Sequence, residues 1–120
     1  MGEGGRPRVA RLVAAVDCGR TINPDLVLQQ IEGGLIFGLA QALGASTGLT
    51  GGRTTVRGLA GLDLPRLADT PDIVVEFIPS DEAPGGVGEL GVPAVAPAIA
   101  NALHSATGMR SRHLPLRPNA

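Results

Sequence analysis

From Arg8 to Gly19 the chain reads "RVARLVAAVDCG", dense in Val and Ala and closed by a Cys-Gly pair, the pattern of a mostly buried strand that ends in a turn. A helical pattern follows in "TINPDLVLQQIEGGLIFGLAQALG", where Leu28, Ile31, Leu35, Leu39 and Leu43 recur at the spacing of one helix face. Asn23 stands where an N-cap belongs, Pro24 at the first helical position and Asp25 in the first turn, and Gly44 is placed to end the helix. Between Ala45 and Thr70 the composition shifts to Gly, Thr, Arg and Asp, with Gly51-Gly52 predicting a hairpin turn ahead of a short "RTTVRG" strand. Pro65 and Pro71 then bound an irregular stretch. The β-branched run "DIVVEFIPS" (residues 72–80) predicts a second substantial strand.

A second helix is predicted from near Pro93, because Val92, Val95, Ala96, Ile99, Leu103 and Ala106 follow the same apolar spacing, and Gly108 suits its C-cap. Pro97 is tolerable there only in the first turn, where its missing N–H has no intrahelical partner. The predicted fold class is therefore α+β, with two main strands, a minor hairpin and two helices. No repeat or linker composition interrupts the chain, so residues 1–120 read as a single domain.

Composition narrows what such a domain can do. With 120 residues, the chain can bury one modest core but cannot enclose a large cofactor on all sides. A formal net charge of -1 and the absence of Trp and Tyr remove both the basic footprint and the stacking platforms of a nucleic-acid binder. Cys18 is alone, so no intramolecular disulfide framework exists. The start "MGEGGRPRVAR" lacks the apolar stretch of a secretory signal, and no apolar run approaches the ~20 residues expected of a membrane span. A cytoplasmic location is expected, with export alongside a partner left open. His104 and His113 lack a second metal-type ligand at useful spacing, and no metal-ligating residue is assigned.

Two glycine patterns carry the candidate chemistry. Inside the first helix Gly33, Gly34 and Gly38 each cost about 1 kcal/mol relative to Ala. Gly34, Gly38 and Ala42 fall at i, i+4 and i+8, a smooth ridge for close approach of another backbone. The second pattern, "GVGELG" (residues 86–91), formally satisfies the G-x-G-x-x-G dinucleotide fingerprint. That mechanism needs the first glycine directly after a strand and an acidic residue about 20 positions later. Here "PSDEAPG" intervenes, and Glu89 is the last acid of the chain. What remains is one carboxylate on a glycine loop ahead of an apolar helix. The helix dipole favours its ionised form, and burial would oppose it. Glu89 is thus a candidate general base set by its pocket, or else a helix cap. Cys18 reads as a small buried residue.

"VDCGRTINPDLVLQQIEGGLIFGLAQAL" taken with "PSDEAPGGVGELGVPAVAPAIANALHSATG" resembles the C-terminal part of the molybdenum-binding subunit of the xanthine dehydrogenase and aldehyde oxidase family, and within it the isoquinoline 1-oxidoreductase beta-subunit branch. The resemblance runs from about Arg8 to Leu116. It implies a partial molybdopterin-binding domain in which Glu89 is the catalytic general base for hydroxylation of an N-heterocycle or aldehyde with oxygen derived from water. It also implies that Gln30 and the loop residues Gly86, Val87 and Gly88 lie against the molybdenum–molybdopterin cofactor, in its cytosine dinucleotide form. One departure from the branch is Leu90, where a proline is expected after the glutamate; it bears on substrate more than on chemistry.

The resemblance further implies partners: the remainder of the molybdenum-binding subunit, an iron–sulfur electron-transfer subunit, and the small-molecule substrate. One cysteine cannot ligate a cluster, so the iron–sulfur centres belong elsewhere. Three functions stay open on the sequence. They are a catalytic piece of a molybdenum hydroxylase, a non-catalytic remnant or interaction module without cofactor, and a dinucleotide-binding loop protein. The first and the third each require particular geometry around residues 86–91, and the first also requires the Glu89 loop to approach Gln30.

Overall fold

A computed structural model describes residues 6–117. The elements run β1 (Arg11–Val16), α1 (Pro24–Leu43), β2 (Leu49–Thr50), β3 (Arg53–Thr54), β4 (Asp72–Phe77) and α2 (Val95–Thr107), with short 3₁₀ turns at Leu59–Gly61 and Leu67–Asp69. β1 and β4 pair in parallel, Arg11 opposite Asp72 through Val16 opposite Phe77, and β2 and β3 form a separate antiparallel hairpin. The mixed α+β architecture is the one the hydrophobic pattern predicts, with both main strands shorter than their apolar runs.

α1 forms where its signals place it. The Asn23 side chain accepts the Leu26 N–H at 3.2 Å, Pro24 opens the helix, and the Gly44 N–H closes on the Ala40 carbonyl at 3.0 Å. Ile31, Leu35, Leu39, Ala42 and Leu43 make its buried stripe and meet Leu12 and Val16 of β1 and Val95 and Ile99 of α2 in one core. Ile31 and Ala42 are fully covered. α2 begins two residues later than predicted by Pro93, with Pro97 in its first turn, and ends at Gly108 in the left-handed conformation (φ 74°).

Two expectations are corrected. β1 is not mostly buried: Leu12 and Val16 are buried while Arg11, Val13 and Ala15 are exposed, because a two-stranded sheet is covered on one face only. α1 is, by length and composition, apolar enough to cross a membrane, although Gln29, Gln30, Glu32 and Gln41 break its apolar run. Its buried stripe is nonetheless the wall of the core.

The tail after α2 is tied down. The Leu116 N–H donates to the Ala42 carbonyl at 2.7 Å, and Leu116 is buried at the end of α1. The Arg117 guanidinium donates to the Leu43 carbonyl at 2.7 Å, so the tail satisfies carbonyls that the helix end leaves open. Arg110 donates to Asn101 at 2.8 Å.

Candidate functional site

The stretch between β4 and α2 is irregular, yet three sets of contacts fix its course across β1 and α1. At its start, the turn after β1 grips residues 82–85. The Arg20 N–H donates to the Glu82 carbonyl at 3.0 Å, and the Gly85 N–H donates to the Cys18 carbonyl at 2.8 Å. The turn needs glycine twice over, since Gly19 has φ 68° and a Cβ there would collide with the Ala83 carbonyl. Cys18 is buried beneath this clasp, as its small apolar character suggests.

In the middle, the Gln30 Nε2 donates to the Gly88 carbonyl at 2.9 Å. Two groups 58 positions apart in sequence are thereby brought together, as a shared site requires. At the far end Gly91 is buried on the glycine ridge. A Cβ on Gly91 would lie 2.7 Å from the Ile31 carbonyl oxygen, and one on Gly38 would lie 2.6 Å from the Val92 carbonyl oxygen and 2.8 Å from a Val95 methyl. The ridge therefore serves packing, and what it packs is the segment that directly follows Glu89.

Between these anchors Glu89 is exposed in a turn, its carbonyl accepting the Val92 N–H at 3.1 Å. It does not cap α2, whose N-cap Ala94 has no side-chain capping bond. Gly86 and Gly88 are exposed, with nothing within 4 Å of where a Cβ would sit, whereas Val87 is half-buried against the core. Val87 anchors the loop, and the two glycines beside it leave open room for a bulky group to reach the backbone. Gln30 is also exposed, and with one amide hydrogen used on Gly88 its other N–H and its carbonyl oxygen remain available.

The dinucleotide fingerprint fails on placement. β4 ends at Phe77 and α2 starts at Val95, so neither the strand nor the helix abuts the glycines as phosphate binding through that motif demands. His104 is half-buried on α2 and His113 is exposed. Among the described residues no group of three or more His, Cys, Asp or Glu side chains could hold a metal ion.

The sequence reading missed the clasp at residues 82–85 and the capping role of the tail. "VDCG" carried a signal for the first, since a glycine after a buried strand end marks a close approach. For the second no local signal existed.

Comparison with known proteins identifies the family. The family model for the molybdopterin cofactor-binding domain matches residues 2–71. A membrane-bound aldehyde dehydrogenase of Gluconacetobacter polyoxogenes, named for pyrroloquinoline quinone, is 42% identical over 108 residues, covering 90% of this chain and 14% of that protein. Isoquinoline 1-oxidoreductase subunit beta of Brevundimonas diminuta is 38% identical over 110 residues, covering 92% of this chain and 14% of that protein. The crystal structure of quinoline 2-oxidoreductase from Pseudomonas putida 86 superposes with a TM-score of 0.83 at 25% identity, over 93% of this chain and 15% of that one. The chain thus spans about one-seventh of the length of the relatives it matches. Unlike the family model, these matches cover nine-tenths or more of the chain. The family model over more than half of the chain, together with a relative 38% identical over 92% of it, places this chain in the molybdopterin cofactor-binding domain family of the xanthine dehydrogenase and aldehyde oxidase oxidoreductases.

Proposed function

We propose that residues 1–120 act as one domain that supplies the general base and part of the cofactor cradle of a molybdenum hydroxylase acting on an N-heterocycle or aldehyde. The observation that carries the reading is the Gln30–Gly88 hydrogen bond, which seats the glutamate loop beside the only other side chain assigned to the site. The residues fit a large planar cofactor in two respects. Gly86 and Gly88 leave open space where side chains would stand, and Gln30 keeps a free amide donor and acceptor at the same edge.

When bound, the molybdenum–molybdopterin cofactor, here in its cytosine dinucleotide form, supplies oxygen-transfer and two-electron redox chemistry. The chain's own residues do the rest. Gln30 fixes the loop through Gly88 and offers its second N–H to a cofactor oxygen. Gly86 and Gly88 admit the cofactor to within backbone distance, with Val87 anchored in the core beneath them. The Glu89 carboxylate, exposed on a turn held on both sides, takes the proton of the attacking water-derived oxygen. The rest of the molybdenum-binding subunit would complete the pocket, an iron–sulfur subunit would remove the electrons, and the assembly would work in the cytoplasm.

The test is metal content, native mass and turnover of the tagged chain recovered from its own host. The expected result is molybdenum in a complex larger than 12.1 kDa. Acid hydrolysis should release CMP from it. Glu89→Gln should lower turnover by about 10²–10⁴-fold with molybdenum retained. Full turnover in that variant would remove Glu89 from the role. A second reading comes from the relative named for pyrroloquinoline quinone and described as membrane-bound. A metal-free quinone cofactor in a membrane fraction would favour it.

A further inference from the structure

Among the described residues, the sheet leaves one edge of β1 without a strand. The Asp72 N–H donates to the Ala10 carbonyl and the Ile78 N–H to the Val16 carbonyl, which fixes the alternation along the parallel pair. Ala10, Leu12, Ala14 and Val16 turn their main-chain groups to β4, so Arg11, Val13 and Ala15 turn theirs to the opposite edge. Among the described residues no backbone bond meets that edge. Beside it lies a cavity of about 390 Å³, lined by β1 together with Leu35, Leu90, Ala94, Val95 and Ala98. Val13 is 64% exposed at its rim and Leu90 43%.

Donors and acceptors spaced every second residue are satisfied by another extended backbone, which a compact ligand or a helix cannot provide. The lining is apolar apart from Asp17, so it suits an occupant with apolar side chains. We propose that the outer edge of β1 accepts an extended segment from the remainder of the molybdenum-binding subunit, added as a further strand with Val, Ile, Leu or Phe at alternate positions. The relatives extend far beyond the matched region and so contain such a segment's worth of chain many times over. The edge runs beside Leu90, Ala94 and Ala98, and a second copy docked edge to edge would bring the same residues to the same place. A single strand fits where another sheet edge does not. The incoming strand packs on Leu90, so docking also braces the residue next to Glu89.

This proposal rests on the reading that a larger subunit completes the chain. Its test is amide hydrogen exchange at Val13 and Ala15 in the complex with the molybdenum-binding polypeptide, compared with the chain alone, together with Val13→Pro. The expected result is exchange slowed at least tenfold in the complex, and at least tenfold weaker assembly of the variant. The Val74 and Glu76 amides, which face β1 from the other side, should stay protected in that variant. Equal exchange rates in the complex and the free chain would overturn the proposal while leaving the larger reading intact. So would protection that rises with chain concentration alone, which would make a second copy the occupant. Recovery of the chain with no molybdenum-binding polypeptide would overturn the reading itself, and the proposal with it.

Discussion

Two glycine-rich regions of this molecule use the same residue for different reasons. Where α1 meets the glutamate loop, Gly34, Gly38 and Gly91 are buried and stand where any side chain would strike backbone or a core valine. In the hairpin of β2 and β3, Gly51 and Gly52 are exposed, with nothing within 4 Å of a Cβ, and instead take φ values of 57° and 75°. In the first region glycine sets a distance. In the second it sets a backbone angle. The distance-setting glycines are the ones that hold the candidate site.

The sharpest way to break this contrast is to damage each region's apolar content. Ile31→Ala, at a fully buried position under Gly91, should cost about 2–5 kcal/mol in denaturant unfolding. Leu67→Ala, in the 3₁₀ turn that precedes β4 and 91% exposed, should stay within about 0.5 kcal/mol. Equal losses would mean that the segment between the hairpin and β4 is part of the core after all.

Next comes Gly91→Ala, which forces a methyl group against the Ile31 carbonyl and the Leu35 nitrogen and should cost about 1–3 kcal/mol. It should also displace Gly88 from Gln30, visible as a changed Gln30 side-chain amide resonance. Gly52→Ala meets no neighbour and should cost about 1–2 kcal/mol through its left-handed backbone alone, leaving that resonance unmoved. The smallest effect has the opposite sign. Gly33 is exposed in mid-helix with open space around it, so Gly33→Ala should stabilise the chain by up to about 1 kcal/mol. Destabilisation by Gly33→Ala would show that this glycine belongs with its neighbours on the ridge.

Much of this was legible in the sequence, and the reason is local chemistry. Asn23, Pro24 and Gly44 delimit α1 because caps act within a turn, and Gly51-Gly52 specify their hairpin for the same reason. The apolar spacing of α1 gave its core face because one helix covers one face of the sheet. The exposed alternation in β1 was hidden, since Val and Ala read the same whether or not a neighbouring strand covers them. Glu89 and Gln30 could each be singled out, but their adjacency depends on how the ridge accepts Gly91, a contact that no spacing rule encodes. The fixed tail was illegible for a similar reason: Leu116 is one apolar residue among prolines and arginines, and its burial depends on the open end of a helix far back along the chain.

The 58-residue separation between Gln30 and Gly88 also bears on the order of assembly. Closing so long a span costs chain entropy that is offset only once the helix has docked and its ridge is ready to receive the loop. The loop that carries the carboxylate is therefore held by the core and not by its own local contacts. A chain whose core is incomplete has nothing to hold the glutamate loop, so the candidate site depends on completion of the fold.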